Sequence, residues 1–261
     1  MPAFTDRGLL SIDSSKAVKA QEYGWLNAIM YLAPAGLAGV GNLCSHASPA
    51  CLAACLGWHS GQASMVANEA DLNNVRRSRI AKAQAFMRDR VNFVRRVAIQ
   101  IAKAERKADR KGFGLCVRLN GSSDIAWEGI PVDVDAKTAR ILRCQEMRYP
   151  NLMTLFSHLQ FVDYTKNPKR LARQLPGNYH LTLSRSETNE AACLEALRDG
   201  HNVAVVFGDG LPSTWHGFPV IDGDQHDLRH LDQRGGYVVG LTPKGRKAKK
   251  DTSGFVVRDY Q

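Results

Sequence analysis

A chain of 261 residues with 44% apolar and 23% charged side chains has the make-up of a water-soluble globular protein, which excludes a disordered or collagen-like chain. A formal charge of +10 favours polyanions or acidic proteins as partners. The start, MPAFTDRGLL, lacks the basic-then-apolar pattern of a secretory signal, so a cytoplasmic protein with reduced thiols is expected.

In chain order, the first element is WLNAIMYLAPAGLAGVG (25–41), the one membrane candidate. It is shorter than the ~20 residues needed to span and is interrupted by Asn27, Pro34 and three glycines. A buried first strand with a Gly-rich exit fits it, and no membrane contact is expected. NLCSHASPACLAACLGWHS (42–60) follows, with Cys44, Cys51 and Cys55 in a C-x6-C-x3-C array. Between Tyr23 and Asn68 the only ionisable side chains besides these thiols and Tyr31 are His46 and His59. Three readings of the trio stand open: a disulfide, a zinc site completed by His59 or His46, or a [4Fe-4S] cluster. A reducing compartment argues against the first, and the absence of paired C-x2-C knuckles against the second. Three thiolates from one charge-free loop favour the third, with the fourth iron left for a distant ligand. Cys116 is the best fourth-ligand candidate.

Residues 72–111 read as a basic helical segment. Ile80, Ala83, Met87, Val94, Val97, Ile101, Ala104 and Ala108 form one apolar stripe, and Asp89 before RVNF has N-cap chemistry, so two helices with a break near Arg88 fit as well as one continuous helix. Arg76 to Lys111 carries thirteen Lys/Arg against three Asp/Glu, an excess equal to the net charge of the whole chain. Arg76, Arg77, Arg79 and Lys82 are the candidate contacts to a polyanion or an acidic host protein.

Short β-branched runs come next: GLCVRLN (114–120), FVDYTKN (161–167), YHLTLS (179–184), NVAVVF (202–207), PVID (219–222) and YVVGL (237–241). A helix over ETNEAACLEALRDG (187–200) separates two of them. Strands ending in polar loops predict an α/β protein: one domain over 1–261, with a partial (β/α) barrel-like parallel sheet. IDGDQHDLRHLD (221–232) gathers Asp222, Asp224, Asp227, Asp232, His226 and His230, without calcium-loop spacing. A Ser–His–acid set can be assembled from His180, Ser184 and Glu187, but no G-x-S-x-G elbow supports it.

NLCSHASPACLAAC, VRLNGSSDIAWE, FVDYTKN, NYHLTLSRSE, NVAVVF and VIDGDQHDLRHLD together resemble a bacteriophage family named after gene product eighty-eight. That resemblance implies phage origin, residence in the host-cell cytoplasm and a metal-binding cysteine array; it brings no reaction. A second, architectural similarity is to radical S-adenosylmethionine enzymes, which hang a three-cysteine loop after the first strand of a partial barrel. It implies a [4Fe-4S] cluster on Cys44, Cys51 and Cys55, with S-adenosylmethionine recognised at Asn120, Ser123 and Asp124. The spacing departs from that family's C-x3-C-x2-C, and its Gly-Gly-Glu motif is missing. The alternative is a nucleic-acid- or host-protein-binding phage factor with structural zinc.

Overall fold

The computed structural model describes residues 8–12 and 18–258. A two-residue strand β1 (Leu10–Ser11) precedes β2 (Trp25–Met30), after which the cysteine-bearing loop carries two short helices, α1 (Pro49–Ala53) and α2 (Leu56–His59). The basic segment forms α3 (Asn74–Arg88) and α4 (Arg90–Asp109). Asp89 closes the first and accepts from the Asn92 N–H at the start of the second, as its capping chemistry predicts.

β3 (Gly114–Arg118) leads into a small antiparallel pair, β4 (Val132–Val134) and β5 (Met147–Tyr149), with α5 (Ala136–Leu142) between them and α6 (Leu152–Leu155) after. Then come β6 (Gln160–Thr165), β7 (Tyr179–Ser184), α7 (Glu190–Arg198), β8 (Val203–Val206), β9 (Thr214–Trp215), β10 (Phe218–Asp222), β11 (Val238–Leu241) and α8 (Gly245–Lys249).

Among the described residues nine strands make one sheet, in the order β1-β2-β3-β6-β7-β8-β11-β10-β9. The seven from β2 to β10 are parallel, and β1 and β9 run antiparallel at the edges. Among the described residues no pairing joins the edge strands β1 and β9. From β2 to β8 each parallel strand is laid beside its predecessor in chain order, which brings their C-terminal ends, and the loops leaving them, to one side.

Period-two alternation divides the sheet's faces. Leu26, Ala28, Met30, Leu115, Val117 and Leu119 face the main core, against Val94, Val97, Ile101 and Ala104 of α4. The expected stripe is buried in α4; in α3 Phe86 is buried in place of Met87, which lies 37% exposed. The other sheet face takes Cys116 and Val162 and is covered by residues 223–234, whose Leu228 packs on both. There Arg118 is paired with Asp227 and stacked on Tyr164, and Arg229 is paired with Asp232. No helix of the described residues is long and apolar enough to cross a membrane; residues 25–41 form β2 and its exit.

Candidate metal centre

The cysteine loop leaves β2 and folds back over the C-terminal ends of the neighbouring strands. Leu43 is buried, bonded to Ala35 in one direction and accepting from the Asp124 N–H in the other. Cys44 donates its backbone N–H to Asn42 Oδ1 at 2.8 Å, and its Sγ lies 3.3 Å from the Ala35 nitrogen. Ser48 caps α1 by accepting from the Cys51 N–H at 3.2 Å, with Pro49 next. Cys55 joins α1 to α2, its carbonyl accepting from the N–H groups of Trp58 and His59. A Cβ on Gly57 would fall 2.2 Å from that of Ser122, so only glycine allows α2 to lie against the β3 exit loop.

Side chains from distant segments hold this loop in place. Glu187, beyond β7, accepts from the Ser48 hydroxyl at 2.7 Å and the Ala50 N–H at 3.0 Å, a carboxylate at the start of α1. The Arg76 guanidinium lies over Trp58 and donates to the carbonyls of Trp58, Ala63, Glu69 and Asp71. Arg79 stacks on Tyr31 and donates to the Gly57 carbonyl.

All three thiols are free and partly buried. Burial pushes Cys44 up to about 11 and Cys55 up to about 12, and it raises Cys51 as well. The sulfurs feel one another: Cys51 raises both other thiols, and Cys44 raises Cys55. Two cations oppose this, Lys166 at Cys51 and Arg79 at Cys55. Neutral thiols of this kind are poor nucleophiles at pH 7, and a bound metal would be what ionises them.

Among the described residues no three His, Cys, Asp or Glu side chains converge closely enough to hold one metal ion. A tetrahedral zinc with ~2.3 Å Zn–S bonds needs its sulfurs within roughly 4 Å of each other, so a single ion does not fit this arrangement. No imidazole completes the set either: His46 is bonded to the Ser45 hydroxyl and His59 lies 3.8 Å from Glu69. The donors this segment offers are three free thiols from one neutral stretch of chain.

Lys166, which DYTKN (163–167) offers together with Tyr164, lies beneath the loop at the end of β6. Its ammonium donates to Ser184 Oγ and the Arg185 carbonyl, both at 3.0 Å, and burial lowers its pKa. The Lys166 N–H donates to Asp124. The candidate cofactor residues lie beside it with their polar atoms in use. Asn120 Oδ1 accepts from Ser123 Oγ, the Ile125 N–H and Trp127 Nε1, and Asn120 Nδ2 donates to the Ile125 carbonyl. Asp124 also accepts from Arg170 at 2.8 Å.

The other expected residues lie elsewhere. Arg76 is 1% exposed, Lys82 is buried with its ammonium 3.2 Å from the Leu9 carbonyl, and Arg79 is half-buried. Of these four cations only Arg77 is exposed. Cys116 faces the segment over the far side of the sheet, 3.7 Å from His230 Nδ1, and does not join the trio.

A family model described as gene product 88 matches residues 8–259. The chain belongs to the gene product 88 family. This makes it a bacteriophage protein. No curated protein and no solved structure matches it. Membership in the gene product 88 family therefore brings no solved template, and no comparison supports the likeness to radical S-adenosylmethionine enzymes.

Proposed function

We propose that this gene product 88 family member is an iron–sulfur protein in which Cys44, Cys51 and Cys55 ligate a [4Fe-4S] cluster. The supporting observation is the gathering of three free, mutually interacting thiols on one neutral loop over the C-terminal ends of parallel strands. Such a cluster supplies one-electron transfer when bound. Lys166 and Arg79 offset the charge of the ionised thiolates at Cys51 and Cys55, while Glu187 and Arg76 fix the backbone that carries them. The finer form of the reading is that Asn120, Ser123 and Asp124 receive S-adenosylmethionine, and it requires them to exchange their internal hydrogen bonds for the ligand.

Anaerobic reconstitution with iron and sulfide tests the reading. The expected product is a brown protein with broad absorption near ~400 nm and about four irons per chain. Serine at all three positions should abolish iron uptake. Colourless protein that takes up zinc, or undiminished iron in the triple serine variant, would refute it. Formation of 5′-deoxyadenosine under strong reductant tests the finer form separately.

A further inference from the structure

Ser184 ends β7 and Lys166 follows β6, so two neighbouring parallel strands deliver both side chains to the C-terminal side of the sheet. Neither residue is fully buried. The Ser–His–acid set assembled from the sequence does not form: His180 bonds Gln160 and Arg234, and Glu187 bonds the start of α1. Ser184 meets Lys166 instead. Lys166 Nζ lies 3.0 Å from Ser184 Oγ, 3.0 Å from the Arg185 carbonyl oxygen and 3.4 Å from the Ser184 carbonyl oxygen. Asn189 fixes this strand end, donating from Nδ2 to the Ser184 carbonyl at 3.1 Å and accepting the Ser186 N–H at 2.6 Å. The Phe255 ring lies 5.1 Å from the ammonium. Among the described residues no carboxylate bonds that ammonium. Asp124 is taken by Arg170 and the Lys166 N–H, and Glu187 by Ser48 and Ala50.

The three partners of Lys166 use all the N–H groups of an ammonium. Two are carbonyls, which only accept; the hydroxyl can also donate. A neutral amine has two N–H groups and one lone pair, so it keeps all three partners only by accepting the Ser184 proton. Burial lowers the pKa of Lys166, against Cys51, Cys193, Asp124 and Glu187, which raise it. Both cysteines are neutral thiols near pH 7, since burial raises them too. We infer that Ser184 and Lys166 are a nucleophile–base pair for acyl transfer from uncharged carboxylic esters. Lys166 takes the hydroxyl proton as Ser184 Oγ bonds to the ester carbonyl carbon. The bond to the leaving alcohol breaks, and the alcohol takes that proton from Lys166. Water then adds to the acyl carbon and gives a proton to Lys166; the Oγ–carbon bond breaks, the proton returns to Ser184, and the acid leaves. The Phe255 ring and the neutral segment around Cys51 suit an uncharged acyl group. The pair needs no cluster and belongs to the metal-free chain, because a thiolate at Cys51 would hold Lys166 charged.

The metal-free full chain is treated with an alkyl fluorophosphonate from about pH 6 to about pH 11, and the modified serines are located by mass spectrometry. Ser184 should be labelled at least ~10-fold faster than Ser78, which is exposed on α3. Its rate should rise with pH and level off below 10.5, the ordinary lysine value. Ser184→Ala should lose the label and the turnover of p-nitrophenyl butyrate. Lys166→Arg keeps a cation for the two carbonyls but accepts no proton, so labelling and turnover should both fall ~100-fold in protein that still melts cooperatively. If that variant does not fold, the parent's pH profile and Ser184→Ala decide. Labelling of Ser184 no faster than of Ser78, a rate still climbing past 10.5, or undiminished labelling in folded Lys166→Arg would overturn the pair and leave Lys166 as a cap on the end of β7. Labelling without turnover of the ester would overturn acyl transfer.

Discussion

Glu187 ties a helix of the cysteine loop to a strand end 137 residues further along the chain. Its carboxylate satisfies the Ser48 hydroxyl and the Ala50 N–H at the start of α1. Glu187→Ala should destabilise the metal-free protein by about 1–2 kcal/mol in urea unfolding, and speed iron loss to a chelator after reconstitution. Lys82 makes the opposite case. Burial, aided by Arg79, lowers its pKa from the ordinary 10.5 to about 8. The folded state therefore disfavours its charge, a penalty present in full below pH 8 that fades as pH climbs to about 10.5, because over that range the unfolded chain holds the extra proton. Lys82→Met should add roughly 1–3 kcal/mol of stability at pH 7, and that advantage should shrink between pH 8 and pH 10.5. Denaturant titrations of the two proteins across that range check it.

In α3, spacing carried more information than charge. Arg76 stands four residues before Ile80 and seven before Ala83, in register with the apolar stripe, and Lys82 stands four before buried Phe86. A helix that buries one face takes such cations inward if carbonyls wait there, and for Arg76 the 58–71 segment supplies four. Counting charges along the sequence treated all four residues as surface. Arg76→Met should cost about 2–4 kcal/mol and expose residues 57–71 to limited proteolysis, since it leaves buried carbonyls unmet. Arg77→Ala, one position away but exposed, should change stability by no more than ~0.5 kcal/mol.

Across the whole molecule, the sheet face away from α4 is a buried polar layer. His180 and His230 face each other there with ring centroids 5.9 Å apart; Gln160 and Arg234 bond His180, and Trp25, Cys116, His226 and Arg229 surround His230. Burial and these positive neighbours lower both imidazoles to about 4. Their contribution is complete above pH 6.5 and is lost as pH falls towards 4, because the unfolded chain takes up protons that the folded one refuses. Asp232, raised by burial to about 6, and Asp163, raised to about 7, act in the opposite sense. The clean measurement is therefore a difference: the stability gap between the parent and His230→Asn should narrow on acidification from pH 6.5 to 4.

Local pattern was enough to mark β2, β3, β6, β7, β8, β10 and β11 and the parallel character of the sheet, and it left a break near Arg88 as an even alternative to one long helix, which the structure resolves as α3 and α4. Alternation, helical period and capping chemistry act over a few residues, so the sequence by itself determines them. The short edge strands β1 and β9 and the β4–β5 pair went unseen, since two or three residues carry no period. Only the tertiary structure decided that Lys166 lies near Cys51 and Arg79 near Cys55, that Asn120 and Asp124 are tied up in hydrogen bonds with their own loop and with Asp163, Lys166 and Arg170, and that Cys116 belongs to the other face. Those outcomes depend on which strand ends meet in space, and strand order is set by packing across the whole sheet rather than by any local run of residues.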